Sequence, residues 1–179
     1  MSNLFNRVSS KQKAEIAESL ICALTTDAPL SRKAGSFVTE WVMSGPEEKY
    51  KAFFDIWGMV LSGYMPTTRP VLYRSCLRRM DGKIASFTAS INSAEKFSEG
   101  RSFLLICDTK LPLDVIPRQK QGEYQHTFFP LTELFQREAR KPDSPLSHRF
   151  LENYTKEDEY IMRIDLNWMY SLKWIKRGE

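Results

Sequence analysis

A chain of 179 residues, 42% apolar and 27% charged, has the length of one domain and the composition of an ordinary globular protein, which excludes a disordered chain and disfavours two full domains. The net charge of +4 and a pI of about 8.9 make it mildly basic, so anionic ligands are permitted and nucleic acid is not demanded. Three widely spaced cysteines, Cys22, Cys76 and Cys107, form no C-x-x-C pair and point to a reducing compartment rather than a disulfide scaffold or a zinc site.

The N-terminus, MSNLFNRVSSKQK, lacks the apolar core of a secretory signal, and no apolar run approaches the ~20 residues a membrane span needs. The expectation is a soluble, cytoplasmic protein. Ser9 or Ser10 caps a first helix through Thr25, on which Ile16, Leu20 and Leu24 recur at i, i+4 and i+8. A second helix runs from Ser31 to the Ser44-Gly45 stop, with Ala34, Phe37, Val38, Trp41 and Val42 on one face. Pro46 opens a third, with Glu47 and Glu48 beside its positive end, and Tyr50, Phe53, Phe54, Trp57, Val60 and Leu61 form its buried face. Aromatic residues at this spacing read as core packing rather than as a ligand box.

Residues 63–70, GYMPTTRP, are a breaker-rich connector, after which the periodicity changes. Short runs rich in apolar, aromatic and β-branched residues predict strands over 71–76, 83–89, 103–108, 159–164 and 168–175. Helices are expected near 93–98 and over 131–140, and 141–155, with two prolines, reads as a long surface loop. The pattern as a whole is α+β, with a helical region over 1–66 and a β-rich region over 67–179 in one domain.

The two histidines, His126 and His148, have no metal-ligand spacing around them, and no metal site is expected. Neither a G-x-S-x-G elbow nor a phosphate-cradling glycine motif occurs, which argues against a serine hydrolase, an NTPase and a Rossmann dehydrogenase. Three short pieces remain. In Pro70-Val-Leu-Tyr-Arg-Ser75 a guanidinium, Arg74, is placed within a strand, where it needs an acidic or phosphate partner or a solvated edge. In Ser86-Phe-Thr-Ala-Ser90, Thr88 and Ser90 are two apart and face one side, ahead of a helix near Asn92. In Glu157-Asp-Glu-Tyr-Ile-Met162, Glu157 and Glu159 stand side by side at a strand entry, able to stabilise positive charge. Asp158 intervenes, and Glu152 lies one loop segment earlier.

Taken in order, these pieces resemble the R-S-E pattern of mono-ADP-ribosyltransferases, over Pro70 to about Ile175, and look closest to the small arginine-modifying transferases carried by tailed phages. Thr88-Ala89-Ser90 and Ala94-Glu95-Lys96-Phe97 are similar to the family's hydroxyl element and its A-x-x-F, and Glu157-Asp158-Glu159 to its E-x-E. Threonine stands at the first hydroxyl, and Ser75 where glycine is frequent. The resemblance implies an ADP-ribosyltransferase-like fold of two small packed β-sheets around an NAD cleft, with the helical region against it. It implies NAD as substrate, with Arg74 on the diphosphate or ribose, Thr88 and Ser90 holding the ribose, and Phe97 and Arg101 in a loop touching nicotinamide and phosphate. Glu159 would be the catalytic carboxylate, and Glu157 would position the acceptor, an arginine of a target protein in the cytoplasm of a bacterial host. His148, Arg149 and Tyr154 occupy the place where relatives recognise their target. Two other readings stay open: the same fold modifying nucleic acid or using NAD-capped RNA as donor, through basic residues such as Arg78, Arg79, Lys83, Arg118 and Lys120, and a non-enzymatic protein that binds a host factor.

Overall fold

The computed structural model describes residues 8–45, 48–49, 51–99, 103–112 and 124–174. In chain order these form α1 (Ser10–Thr25), α2 (Arg32–Met43), α3 (Lys51–Gly63), β1 (Val71–Cys76), β2 (Ile84–Thr88), α4 (Ile91–Lys96), β3 (Phe103–Asp108), β4 (Phe128–Pro130), α5 (Leu131–Glu138), α6 (His148–Tyr154), β5 (Glu159–Arg163) and β6 (Tyr170–Lys173). The chain divides into two units, Met1–Tyr64 with Leu131–Lys156, and Met65–Pro130 with Glu157–Glu179. The helical unit thus takes in α5 and α6 as well as the first three helices, whereas the sequence placed everything after residue 66 in the β-rich region.

In the helical unit, α1 begins with a reciprocal capping box: Gln12 N–H donates to Ser9 Oγ at 3.3 Å, and Ser9 N–H donates to Gln12 Oε1 at 3.0 Å. The apolar stripe of α1, Ile16, Leu20 and Leu24, is buried. Ser31 caps α2 by accepting from Ala34 N–H, and Phe37, Val38 and Trp41 bury its inner face. The expected aromatic face of α3 is core: Trp57 lies 5.1 Å from Phe37 and 5.7 Å from Trp41, ring centre to ring centre, and all three are almost fully buried. Tyr50, assigned to that face from the sequence, lies outside the described residues. Lys13 joins α1 to α3 through a 2.7 Å ion pair with Asp55.

The segment read from the sequence as a loop over 141–155 contains α6. Ser147 caps it by accepting from Phe150 N–H at 3.3 Å, and Phe150 and Leu151 supply enough buried surface for a two-turn helix to form against its neighbours. Phe150 meets Phe135 of α5 edge-on at 5.3 Å.

The other unit is a single six-stranded antiparallel sheet of order β4-β5-β2-β1-β3-β6, in place of the two small packed sheets that the family resemblance implies. Two three-stranded halves merge because β1, paired with β3 along its whole length, also meets β2 at Tyr73 opposite Thr88. Alternation along the strands sends Leu72 and Cys76, Ala85 and Phe87, Leu105 and Cys107, and Met162 into one apolar cluster. Ser86 and Thr88 consequently point to the opposite face. Helix α4 is tied to this sheet through Ser75, whose hydroxyl donates to the Ala94 carbonyl at 2.5 Å. No helix among the described residues is long and apolar enough to cross a membrane.

Candidate functional site

The three sequence pieces converge on three neighbouring strands, β1, β2 and β5. Arg74, half-buried in β1, donates from Nη1 to the Ser86 carbonyl at 2.6 Å. Ser86 in turn donates its hydroxyl proton to Glu159 Oε1 at 2.5 Å. Arg74 and Glu159 are thus both tied to Ser86, the guanidinium at its backbone carbonyl and the carboxylate at its hydroxyl, across residues that lie 12 and 73 positions apart along the polymer.

Strand geometry explains this path. Alternation starts Arg74 on the face of Leu72 and Cys76, while Ser86 and Glu159 share the other. A backbone carbonyl lies close to the plane of its sheet, so the guanidinium meets Ser86 at its oxygen without crossing to the far face. Thr88 is directly opposite Glu159, and Ser86 is opposite Ile161. The long Glu159 side chain reaches Ser86 along the diagonal, a separation of about 7–8 Å between backbones that such a side chain spans.

Thr88 and Ser90, taken from the sequence as ribose-holding hydroxyls, are placed by the structure in local hydrogen bonds. Thr88 Oγ1 accepts from Ser90 N–H at 3.1 Å and lies 3.4 Å from Asp158 Oδ2. Ser90 Oγ accepts from Ser93 N–H at 3.2 Å and is the N-cap of α4. The hydroxyl that reaches the carboxylate is Ser86, two residues before Thr88 on the same face; the period of two that paired Thr88 with Ser90 was the available signal for it. Phe97, at the end of α4, is 59% exposed and so open to a ligand in solvent. Arg101, and the basic residues Arg118 and Lys120, lie outside the described residues.

Glu157 is exposed, at the point where the chain returns to the sheet unit. Partial withdrawal from water, and then the adjacent Glu159 charge, hold its carboxyl above the ordinary value. Asp158, between the two, has φ 51°, in the left-handed region, and its Oδ2 accepts from Ala89 N–H at 3.0 Å. Its role had no signal in the sequence, because it depends on β5 pairing with β2.

His148, Arg149 and Tyr154 all lie on α6 in the helical unit, where His148 is 3.1 Å from Glu152 and Tyr154 Oη donates to Met43 Sδ. The same unit has a cavity of about 310 Å³ lined by residues of the 138–151 segment, including Glu138, Lys141 and His148. Within it Lys141 pairs with both Asp27 and Glu138 at 3.1 Å. No group of three or more metal-ligating side chains occurs among the described residues. No family model, curated protein or solved structure matches the chain.

Proposed function

We propose that the chain is an NAD-dependent mono-ADP-ribosyltransferase that modifies arginine side chains of target proteins. The observation that carries this reading is the linkage of Arg74, Ser86 and Glu159, three residues far apart in sequence, by hydrogen bonds of 2.6 and 2.5 Å. A glutamate held by a hydroxyl, on a strand that an arginine braces through its backbone, suits the splitting of a glycosidic bond to a cationic leaving group. The carboxylate stabilises positive charge on the sugar, the hydroxyl fixes the carboxylate, and the guanidinium braces the strand that carries the hydroxyl.

In the proposed reaction, the bond between nicotinamide and ribose C1′ breaks, and its electron pair leaves with nicotinamide. Glu159 accepts a hydrogen bond from the ribose 2′-OH and favours the oxocarbenium-like transition state. A guanidine nitrogen of the target then bonds to C1′, and its proton passes to Glu157. The raised affinity of Glu157 for a proton supports that role as acceptor. Exposed Phe97 offers an aromatic surface to the departing ring.

The test is the incubation of purified protein with NAD and a bacterial lysate, with nicotinamide release and protein-bound ADP-ribose both measured. Glu159→Gln should lower release and transfer by about 10²–10³-fold. Glu157→Gln should lower transfer far more than NAD hydrolysis. Full nicotinamide release by Glu159→Gln, or none above background by the wild type, overturns the reading.

A further inference from the structure

We infer that Asp158, the residue between the two glutamates, is a positioning residue that fixes where Glu157 stands relative to Glu159. The inference deepens the function proposed above and rests on it for its catalytic meaning.

Two independent features of Asp158 point the same way. The first is its backbone. In an unbroken strand, alternation alone would place residues 157 and 159 on one face, about 6.5–7 Å apart along the chain. At φ 51° the backbone of Asp158 leaves that geometry, so the direction of Glu157 is set by a left-handed residue rather than by the pleat. Among the described residues, the other non-glycine position with positive φ is Asp27. Aspartate and asparagine tolerate this region where most side chains do not.

The second is its side chain. Oδ2 of Asp158 accepts from Ala89 N–H at 3.0 Å, just past the end of β2, and lies 3.4 Å from Thr88 Oγ1. Thr88 Oγ1 uses a lone pair for Ser90 N–H, which leaves its proton directed to the carboxylate. Ser90 caps α4 through Ser93 N–H. The turn carrying both glutamates is therefore tied to the end of β2 and, through Thr88 and Ser90, to the start of α4. Glu159 is held separately, by Ser86. Glu157 is the first residue of the sheet unit after the chain returns from the helical unit, and the clamp acts on the very next residue.

Three variants separate the contributions. Asp158→Asn keeps an acceptor oxygen and tolerates the left-handed region. Asp158→Gly keeps the backbone but loses the clamp, and Asp158→Ala loses both. Circular dichroism and thermal unfolding establish that each is folded. Transfer to protein and hydrolysis of NAD are then measured with the titration of the Glu157 carboxyl by carbon NMR. Asp158→Gly and Asp158→Ala should lower kcat for transfer by about 10–100-fold, with NAD hydrolysis and KM for NAD little changed, and should bring Glu157 back toward an ordinary carboxylate. Asp158→Asn should restore both readouts.

Glu157 titration and transfer unchanged in Asp158→Gly and Asp158→Ala overturn the inference, as does an Asp158→Asn protein that behaves like the glycine variant. If the wild type neither splits NAD nor modifies protein, the transferase reading fails, and the Glu157 titration still decides whether Asp158 sets its position.

Discussion

His126 shows how one buried side chain couples this fold to pH. It is 4% exposed, its ring meets the Trp168 backbone, and its own carbonyl is held by Arg69 Nη1 at 2.7 Å. Burial disfavours the imidazolium and lowers its pKa, with Arg69 acting in the same direction and Asp165, Asp108 and the Trp168 backbone opposing. The unfolded chain therefore takes up a proton at higher pH than the native one. Stability is fully present above the unfolded histidine value of about 6.5 and is lost as pH falls from there toward the lower native value, at no more than about 1.4 kcal/mol per pH unit. Urea unfolding at about pH 7.5 and about pH 5.5 should show this loss in the wild type and a smaller one in His126→Gln. At the same scale, the candidate site was only partly legible. Arg74 and Glu159 stand out as charges set in apolar strands, whereas Ser86 and Asp158 take their partners from the pairing of β2 with β5, which residue types alone do not specify.

Among the elements, the helices of the N-terminal region are written plainly, because α1, α2 and α3 each carry a long apolar stripe and α1 and α2 a serine cap, although α3 begins at Lys51 rather than at Pro46 with Glu47 and Glu48 in its first turn. Helix α6 and strand β4 are not. Seven and three residues are too short to display a period, and their formation depends on the neighbours that bury Phe150, Leu151, Phe128 and Phe129. Helix α2 contains a further packing constraint that propensity would misjudge. A Cβ at Gly35 would stand 3.0 Å from Pro145 Cγ and 3.1 Å from its Cβ. A mid-helix glycine normally yields about 1 kcal/mol on replacement by alanine. Gly35→Ala should not deliver that gain in thermal unfolding, and adding Pro145→Ala should recover part of it, a non-additivity that marks direct contact.

At the level of the whole molecule, the helical unit is assembled from two separate stretches of chain. The sequence shows a change of periodicity near residue 66 but cannot show that α5 and α6 group with the first three helices, since a surface helix reads the same wherever its apolar face is covered. A fragment beginning at Met65 would leave the buried residues Leu134, Phe135, Phe150 and Leu151 without part of their cover. It should bind hydrophobic dyes and unfold without a sharp transition, whereas the full chain should unfold cooperatively. The join between the sheet's two halves carries another consequence. Where β1 meets β2, the ladder is described at Tyr73 and Thr88, with the Arg74 guanidinium bonded to Ser86 close by, while β1 and β3 are zipped along six successive residues. Deuterium from solvent should reach the amides along that join sooner than those between β1 and β3, so the guanidinium and the carboxylate sit beside the part of the sheet that breathes first.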